Sequence, residues 1–228
     1  GCSDYQTSTD AFINNKATGA MTWSFNEALK QKDTWIKQLP ELQNNLIYFH
    51  VIGNPDLETD YLFDEEERIL WLRVADDYNS LPKKVINAYE TISKVYNFKY
   101  IFKTDDDQMV MSIHFFDSLI KVLNSRYPDL KKRIHYGGNV VDVKQAYKSE
   151  YYRLHPELPV NLIVHKTQYC SGRFYLLSHN VVASLLFKKD EICNEYLEDY
   201  AIGFHMPIAG FKDQMLRLDI GAFFTDFV

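Results

Sequence analysis

Apolar runs separated by polar breaks set the order of elements along this chain. Residues 1–20 are polar and turn-rich, a loop leaving a strand that is barely present. From Trp23 to Leu39 the positions Trp23, Phe25 or Asn26, Leu29, Trp35 and Ile36 recur near helical spacing, which predicts a helix ended by Pro40. Asn45 to Ile52 (NLIYFHVI) reads as a strand stopped by Gly53-Asn54-Pro55. The acidic stretch Asp56 to Arg68 predicts a surface segment, part of it helical, and Ile69 to Val74 a second strand. Ser80 stands at an N-cap position with Pro82 in the first turn, and Val85, Ala88, Ile92 and Val95 mark one face of a helix ending near Tyr96. Lys99 to Lys103 is a strand, and Ser112 is placed to cap a helix with Phe115, Phe116, Leu119, Ile120 and Leu123 inward.

Farther on, Ile134 to Val141 is a strand, residues 142–168 a long polar excursion, and Arg173 to Leu177 a short strand. Asn180 to Phe187 and Glu195 to Ala209 read as helices, and Ile220 to Val228 as a last strand. Strands and helices alternate through the first two thirds, which predicts an α/β fold with a largely parallel sheet. A length of 228 residues with no repeat or low-complexity linker is read as one domain, 1–228.

Composition narrows the partners. An apolar content of 46 %, with 15 Phe and 16 Tyr, fills a sizeable core. A net charge of −6 offers no electrostatic case for nucleic acid or an anionic membrane. No apolar run reaches the eighteen or so residues of a transmembrane segment, and no secretory signal opens the chain. The three cysteines, Cys2, Cys170 and Cys193, are too few for a disulfide framework, and no Asn-x-Ser/Thr site occurs. Both point to a reducing, cytoplasmic setting; the alternative is a trimmed domain from the Golgi lumen, since the chain begins Gly1-Cys2 without Met.

The candidate chemistry centres on Lys99-Tyr100-Ile101-Phe102-Lys103-Thr104-Asp105-Asp106-Asp107, an apolar run that stops at consecutive carboxylates. If the strand continues through them, Asp105 and Asp107 point one way and Asp106 the other. Hard oxygen ligands at a strand end suit Mg²⁺ or Mn²⁺ holding a phosphate-bearing substrate; a solvated acidic cap is the plainer alternative. On their own, Glu198-Asp199 read as an acidic helix start, where carboxylates suit the dipole, and Lys84 as either a solvated lysine or a diphosphate contact.

Four stretches stand in order: Asp76-Asp77-Tyr78-Asn79-Ser80-Leu81-Pro82-Lys83-Lys84, Phe102 to Asp107, Tyr169-Cys170-Ser171-Gly172-Arg173-Phe174-Tyr175 to Ser178, and Leu197-Glu198-Asp199-Tyr200-Ala201-Ile202-Gly203. In order and spacing they resemble the β-1,3-galactosyltransferase-like family, which includes the Fringe and β-1,3-N-acetylglucosaminyltransferase enzymes. The similarity runs from about Thr22-Trp23 to Gly203. The resemblance implies a single glycosyltransferase-A domain, with a mainly parallel central sheet flanked by helices. It also implies inverting transfer of a hexose or N-acetylhexosamine from a UDP-sugar to a glycan or glycoprotein hydroxyl, with Mn²⁺ or Mg²⁺.

By the same resemblance Asp107 binds the metal, Asp105 and Asp106 serve the ribose and donor sugar, and Lys84 meets the diphosphate. Gly172 and Arg173 line the sugar site, and Asp199 is the catalytic base. Arg173 stands where the family usually has a second glycine, so a narrowed or charged sugar pocket is expected. Asn15-Lys16 and Ala20 stand where the family has arginines, and no histidine follows His205 to complete a metal site. Two other classes remain open: a carbohydrate- or nucleotide-binding domain without turnover, and a nucleotidyltransferase.

Overall fold

The computed structural model describes residues 11–13, 16–18, 34–38, 46–112 and 114–226. The expected helix over 23–39 falls mostly outside them, as do Asn15, Ala20 and Thr22-Trp23; its described end is a turn at Thr34-Trp35 and a 3₁₀ turn, Ile36–Gln38. A short antiparallel pair comes first, β1 (Ala11–Ile13) with β2 (Lys16–Thr18). A three-stranded sheet follows, in the order β3 (His50–Gly53), β5 (Ile69–Leu72), β4 (Tyr61–Asp64), with β3 parallel and β4 antiparallel to β5.

The segment expected as partly helical is therefore a hairpin. Its acidic residues, Glu65-Glu66-Glu67, form the turn, where the Asp64 carboxylate accepts the Glu67 N–H at 2.9 Å. Tyr61 and Phe63 carry the strand, because Phe63 packs edge-on against Phe49 and Tyr96, with ring centroids 5.0 and 5.5 Å away. Cross-strand aromatic packing outweighs the helix preference of the glutamates.

Helix α1 (Leu81–Val95) buries Val85, Ile86, Ala88 and Tyr89. Ser80 precedes it without a side-chain cap; the Asp77 carboxylate accepts the Ser80 N–H instead, at 2.7 Å. Strands β6 (Tyr100–Thr104) and β7 (Gln108–Val110) flank the aspartate triplet. Helix α2 (Phe115–Arg126) starts later than expected: His114 takes the N-cap position, while the Ser112 carbonyl accepts the Phe115 N–H at 3.1 Å.

Strand β8 (Tyr136–Val143) leads into the excursion, which holds a small pair, β9 (Tyr147–Lys148) with β10 (Ile163–Val164). Strand β11 (Thr167–Ser178) is far longer than its apolar run. Helices α3 (His179–Leu186) and α4 (Lys189–Cys193) follow. The helix expected over 195–209 is divided at Met206-Pro207 into α5 (Glu198–His205) and α6 (Ile208–Phe211), since proline disfavours helical geometry in the residue before it. Strands β12 (Leu216–Arg217) and β13 (Phe224–Asp226) end the described chain.

The main sheet is mixed, in the order β12-β8-β11-β6, and this corrects the expected parallel sheet. β11 is antiparallel to both β6 and β8, and only the two-residue β12 is parallel to β8. β6 and β8 do run the same way, as their helical crossover requires. The gap between them is filled by a strand from later in the chain running the other way.

That strand is central and buried on both faces. Phe174 and Leu176 join Phe115, Phe116, Leu119 and Phe224 on one side. Tyr175 and Leu177 join Ile86, Val181, Ala201 and Ile202 on the other. Cys170 is buried in the second cluster, and both it and Cys193 are free thiols.

Candidate active site

The site is built where β11 breaks register. Against β8 its pairing runs from Cys170 opposite Val140 directly to Tyr175 opposite Gly138. The surplus residues of β11 form a bulge carrying Ser171, Gly172 and Arg173, and bulges characteristically re-aim a strand beside a functional site. On its other edge β11 pairs with β6, Phe174 opposite Thr104 and Tyr175 opposite Lys103. The bulge therefore lies beside the end of β6, where Asp105 follows. The Thr104 hydroxyl pins it by donating to the Arg173 carbonyl at 2.9 Å.

The triplet itself is not strand. β6 ends at Thr104, and Asp106-Asp107 form the turn into β7, so the alternating directions expected of a continued strand do not apply.

Lys103, unassigned by the sequence reading, is the hub. Its ammonium contacts the Asp105 carboxylate, lies 3.2 Å from Glu198 Oε2 and donates to the Gly172 carbonyl at 3.0 Å. Its side chain is 13 % exposed and that of Glu198 2 %. Burial alone would depress the lysine pKa; the Asp105 and Glu198 charges reverse this and raise it well above the ordinary value. Burial likewise opposes ionised Asp105, but the Lys103 charge outweighs it and leaves the carboxyl below its usual range. A second layer supports Glu198: the Tyr175 hydroxyl donates to it and lies 2.6 Å from the Tyr89 hydroxyl. The one sequence signal for Lys103 was a cation inside an otherwise apolar strand.

Helix α5 brings Asp199 to the same point. It packs so closely on β11 that a Cβ at Gly203 would fall 2.2 Å from the Tyr169 Cβ, which only glycine avoids. Asp199 accepts the Gly172 N–H at 2.9 Å and the Tyr200 N–H at 2.7 Å. Burial, reinforced by the neighbouring Glu198 charge, raises its pKa to about 6. Gly172 thus touches both halves of the site through its own backbone. A methyl group on it would rest 3.4 Å from Asp105 Oδ2 and Lys103 Nζ, an ordinary contact. The surrounding protein does not demand glycine there; the space it leaves lies beside the Asp105 carboxylate.

Asp107 belongs to the outer edge. Burial raises its pKa to about 6, with the Asp105 and Asp106 charges acting in the same direction. The Gln108 amide donates to Asp107 at 2.9 Å and to Asp226 at 2.6 Å. Arg173 reaches the same Asp226 oxygen at 2.8 Å, so its charge is matched by the last described strand. Among the described residues no three His, Cys, Asp or Glu side chains converge as a metal cluster. The donors present suit the other common arrangement, a hard divalent cation on one or two carboxylates with substrate phosphates and water completing the shell. Asp107 and Asp106 fit that role; Asp105 is engaged by Lys103.

Lys84 is not solvated. It pairs with the buried Asp76, whose Oδ2 has no hydrogen-bond partner among the described residues. Both line a cavity of about 640 Å³ that also reaches Tyr78, Lys103, Asp105 and Asp106. Asp107, Gly172, Arg173 and Asp199 are not part of its wall. The structure thus joins Lys84 to Asp105 and Asp106 through one cavity, and Asp199 to Asp105 through Gly172 and Lys103.

This constellation lies at the end of β6 in a mixed α/β protein. The galactosyltransferase family model matches residues 27–217, and the chain belongs to that family. A Xenopus laevis protein described as UDP-GalNAc:beta-1,3-N-acetylgalactosaminyltransferase 2 is 23 % identical over 201 residues, covering 84 % of this chain and 37 % of that protein. The chain thus spans little more than a third of the length of that relative. Among the described residues no helix is long and apolar enough to cross a membrane.

Proposed function

We propose that this chain transfers a hexose or N-acetylhexosamine from a UDP-sugar to the hydroxyl of a glycan or glycoprotein, inverting the anomeric centre, with Mn²⁺ or Mg²⁺ as cofactor. The observation that carries this reading is Asp199, a buried carboxylate held by two backbone N–H groups beside the donor-side Asp105, with its pKa near 6. A general base works best when its pKa lies close to the operating pH.

In this reading the acceptor oxygen attacks the anomeric carbon as its proton passes to Asp199. The bond from that carbon to the diphosphate oxygen breaks, and its electron pair leaves on UDP. Attack opposite the leaving group inverts the centre. Asp107 and Asp106 would hold a divalent cation, which would supply neutralising charge for the diphosphate. Asp105, fixed by Lys103, orients the ribose or donor sugar. Asp76 Oδ2, without a hydrogen-bond partner among the described residues, is an acceptor in the cavity wall for a ligand N–H or O–H, and the cavity volume lies in the range of small-molecule sites. The relative's name, with its UDP-GalNAc donor, supports a UDP-sugar here as well.

Calorimetric titration of UDP with and without Mn²⁺ tests the reading. Wild type is expected to bind UDP only with the metal. Asp107→Ala is expected to keep its melting temperature within a few degrees and lose that binding. Binding by Asp107→Ala as tight as wild type would remove Asp107 from the metal role. A donor-binding domain without turnover is the second reading, favoured by the lack of a three-ligand cluster among the described residues. It predicts binding with no hydrolysis of UDP-galactose, UDP-GlcNAc or UDP-GalNAc.

A further inference from the structure

The buried cation of this site does more than neutralise two carboxylates. The acceptors of the Lys103 ammonium sit on different elements: Asp105 in the turn after β6, Gly172 in the β11 bulge, and Glu198 at the start of α5. The ammonium donates hydrogen bonds to Asp105 and Gly172, and its charge lies 3.2 Å from Glu198 Oε2. Each acceptor leads to a working group. Asp105 is itself the donor-side carboxylate. Gly172 donates its N–H to Asp199, so the peptide unit held by Lys103 belongs to the same bulge that holds the base. Glu198 adjoins Asp199 in the first turn of α5. Donor side and base therefore meet at one nitrogen.

We propose that Lys103 is a positioning residue that sets the base Asp199 against the donor-side Asp105, and that Glu198 serves as its anchor on helix α5. The proposal rests on the reading of the site as a sugar-transfer centre. Glu198 is committed to Lys103 and Tyr175, which leaves Asp199 as the base of the acidic pair. Fixing reacting groups to within about an ångström is worth roughly 10²-fold in rate, and the Lys103 contacts supply that constraint before any ligand arrives.

The expected behaviour separates positioning from structural support. Lys103→Met strands buried Asp105 and Glu198, and its melting temperature is expected to fall on the order of 10 °C. Adding Glu198→Gln removes one stranded charge, and the double variant is expected to recover much of that loss. With Mn²⁺ and UDP-galactose, UDP-GlcNAc or UDP-GalNAc, its donor hydrolysis is expected to stay down by about 10²-fold. Hydrogen exchange at residues 170–174 and 197–201 is expected to quicken in the absence of any ligand.

Recovery of hydrolysis together with stability overturns the proposal, as does unchanged exchange in both segments. Should the double variant not fold, Glu198→Gln alone decides. About a tenfold loss of hydrolysis with UDP affinity within threefold supports positioning, and a wild-type rate overturns it. UDP–Mn²⁺ titration of wild type stands apart from these outcomes: no binding there refutes the sugar-transfer reading itself, whereas binding with insensitive Lys103 and Glu198 variants refutes only the positioning role.

Discussion

Asp105 and Asp107 stand two residues apart in one turn and have opposite electrostatic fates. Asp105 faces inward onto the Lys103 ammonium, which holds its carboxyl below the ordinary range. Asp107 faces outward, shares the Gln108 amide with Asp226, and is pushed up to about 6, chiefly by burial. In the inner half Lys103 sets one ammonium against Asp105 and Glu198, and Asp199 is held by backbone N–H groups instead of a cation. In the outer half the Arg173–Asp226 pair is matched but exposed, at 38 % and 57 %. The inner half is assembled by the fold; the outer half is where the proposed function puts the metal ion. Variants in the inner half are therefore expected to change rate, and those in the outer half to change metal dependence.

The largest effect is expected at the base. Asp199→Asn keeps the shape and removes the basicity, so sugar transfer should fall by roughly 10²–10⁴ while UDP-sugar affinity stays within a few-fold. Initial rates beside donor titrations would show it, after screening for an acceptor. Near wild-type transfer by this variant, with Glu198→Gln inactive, would move the base to Glu198.

A pH profile sharpens the same contrast. Asp199 must be ionised to accept a proton, and its pKa is raised to about 6. At saturating Mn²⁺, which keeps Asp107 ionised, transfer should fall by nearly tenfold for each pH unit below about 6. A rate flat down to pH 4.5 contradicts this. The sign for stability is the reverse. A carboxyl whose folded pKa is raised favours folding as pH drops through about 6, and its ionisation above that costs the fold. The melting temperature of wild type relative to Asp199→Asn is thus expected to rise as pH falls from 7.5 towards 5, measured by calorimetry.

The smallest effect lies on the rim. The exposed Arg173–Asp226 pair is of a kind worth about 0–1 kcal/mol, so Asp226→Asn should shift the melting temperature by no more than about 4 °C. Loss of Gln108 anchoring is expected to weaken Mn²⁺-dependent UDP binding by a few-fold, read in the same titration. A collapse of stability in this variant would make the outer half as structural as the inner.

Local patterns in the chain were enough to place β3, β5, β6, α1, α2 and the apolar part of β11, because each buries a continuous run or one face of a helix. They were enough also for the acidic turn and for Glu198-Asp199, whose spacing carried the family resemblance. The direction of β11 was not legible. A helical crossover settles how β6 and β8 run, but only long-range pairing decides which strand enters the gap between them. The hairpin of β4 was hidden for a similar reason: its glutamates favour helix locally, and the aromatic partners that overrule them lie on other elements.

The function of Lys103 was invisible on the same grounds. As one residue in a strand it is only a charge out of place, and its meaning comes from Gly172 and Glu198, far along the chain. Arg173 shows the converse. The family resemblance marked it as a charge for the sugar pocket, and only the fold supplies Asp226 as the partner of its guanidinium. Burial and partners, both products of tertiary structure, decide whether a charge is a tether, a base or a surface ion pair.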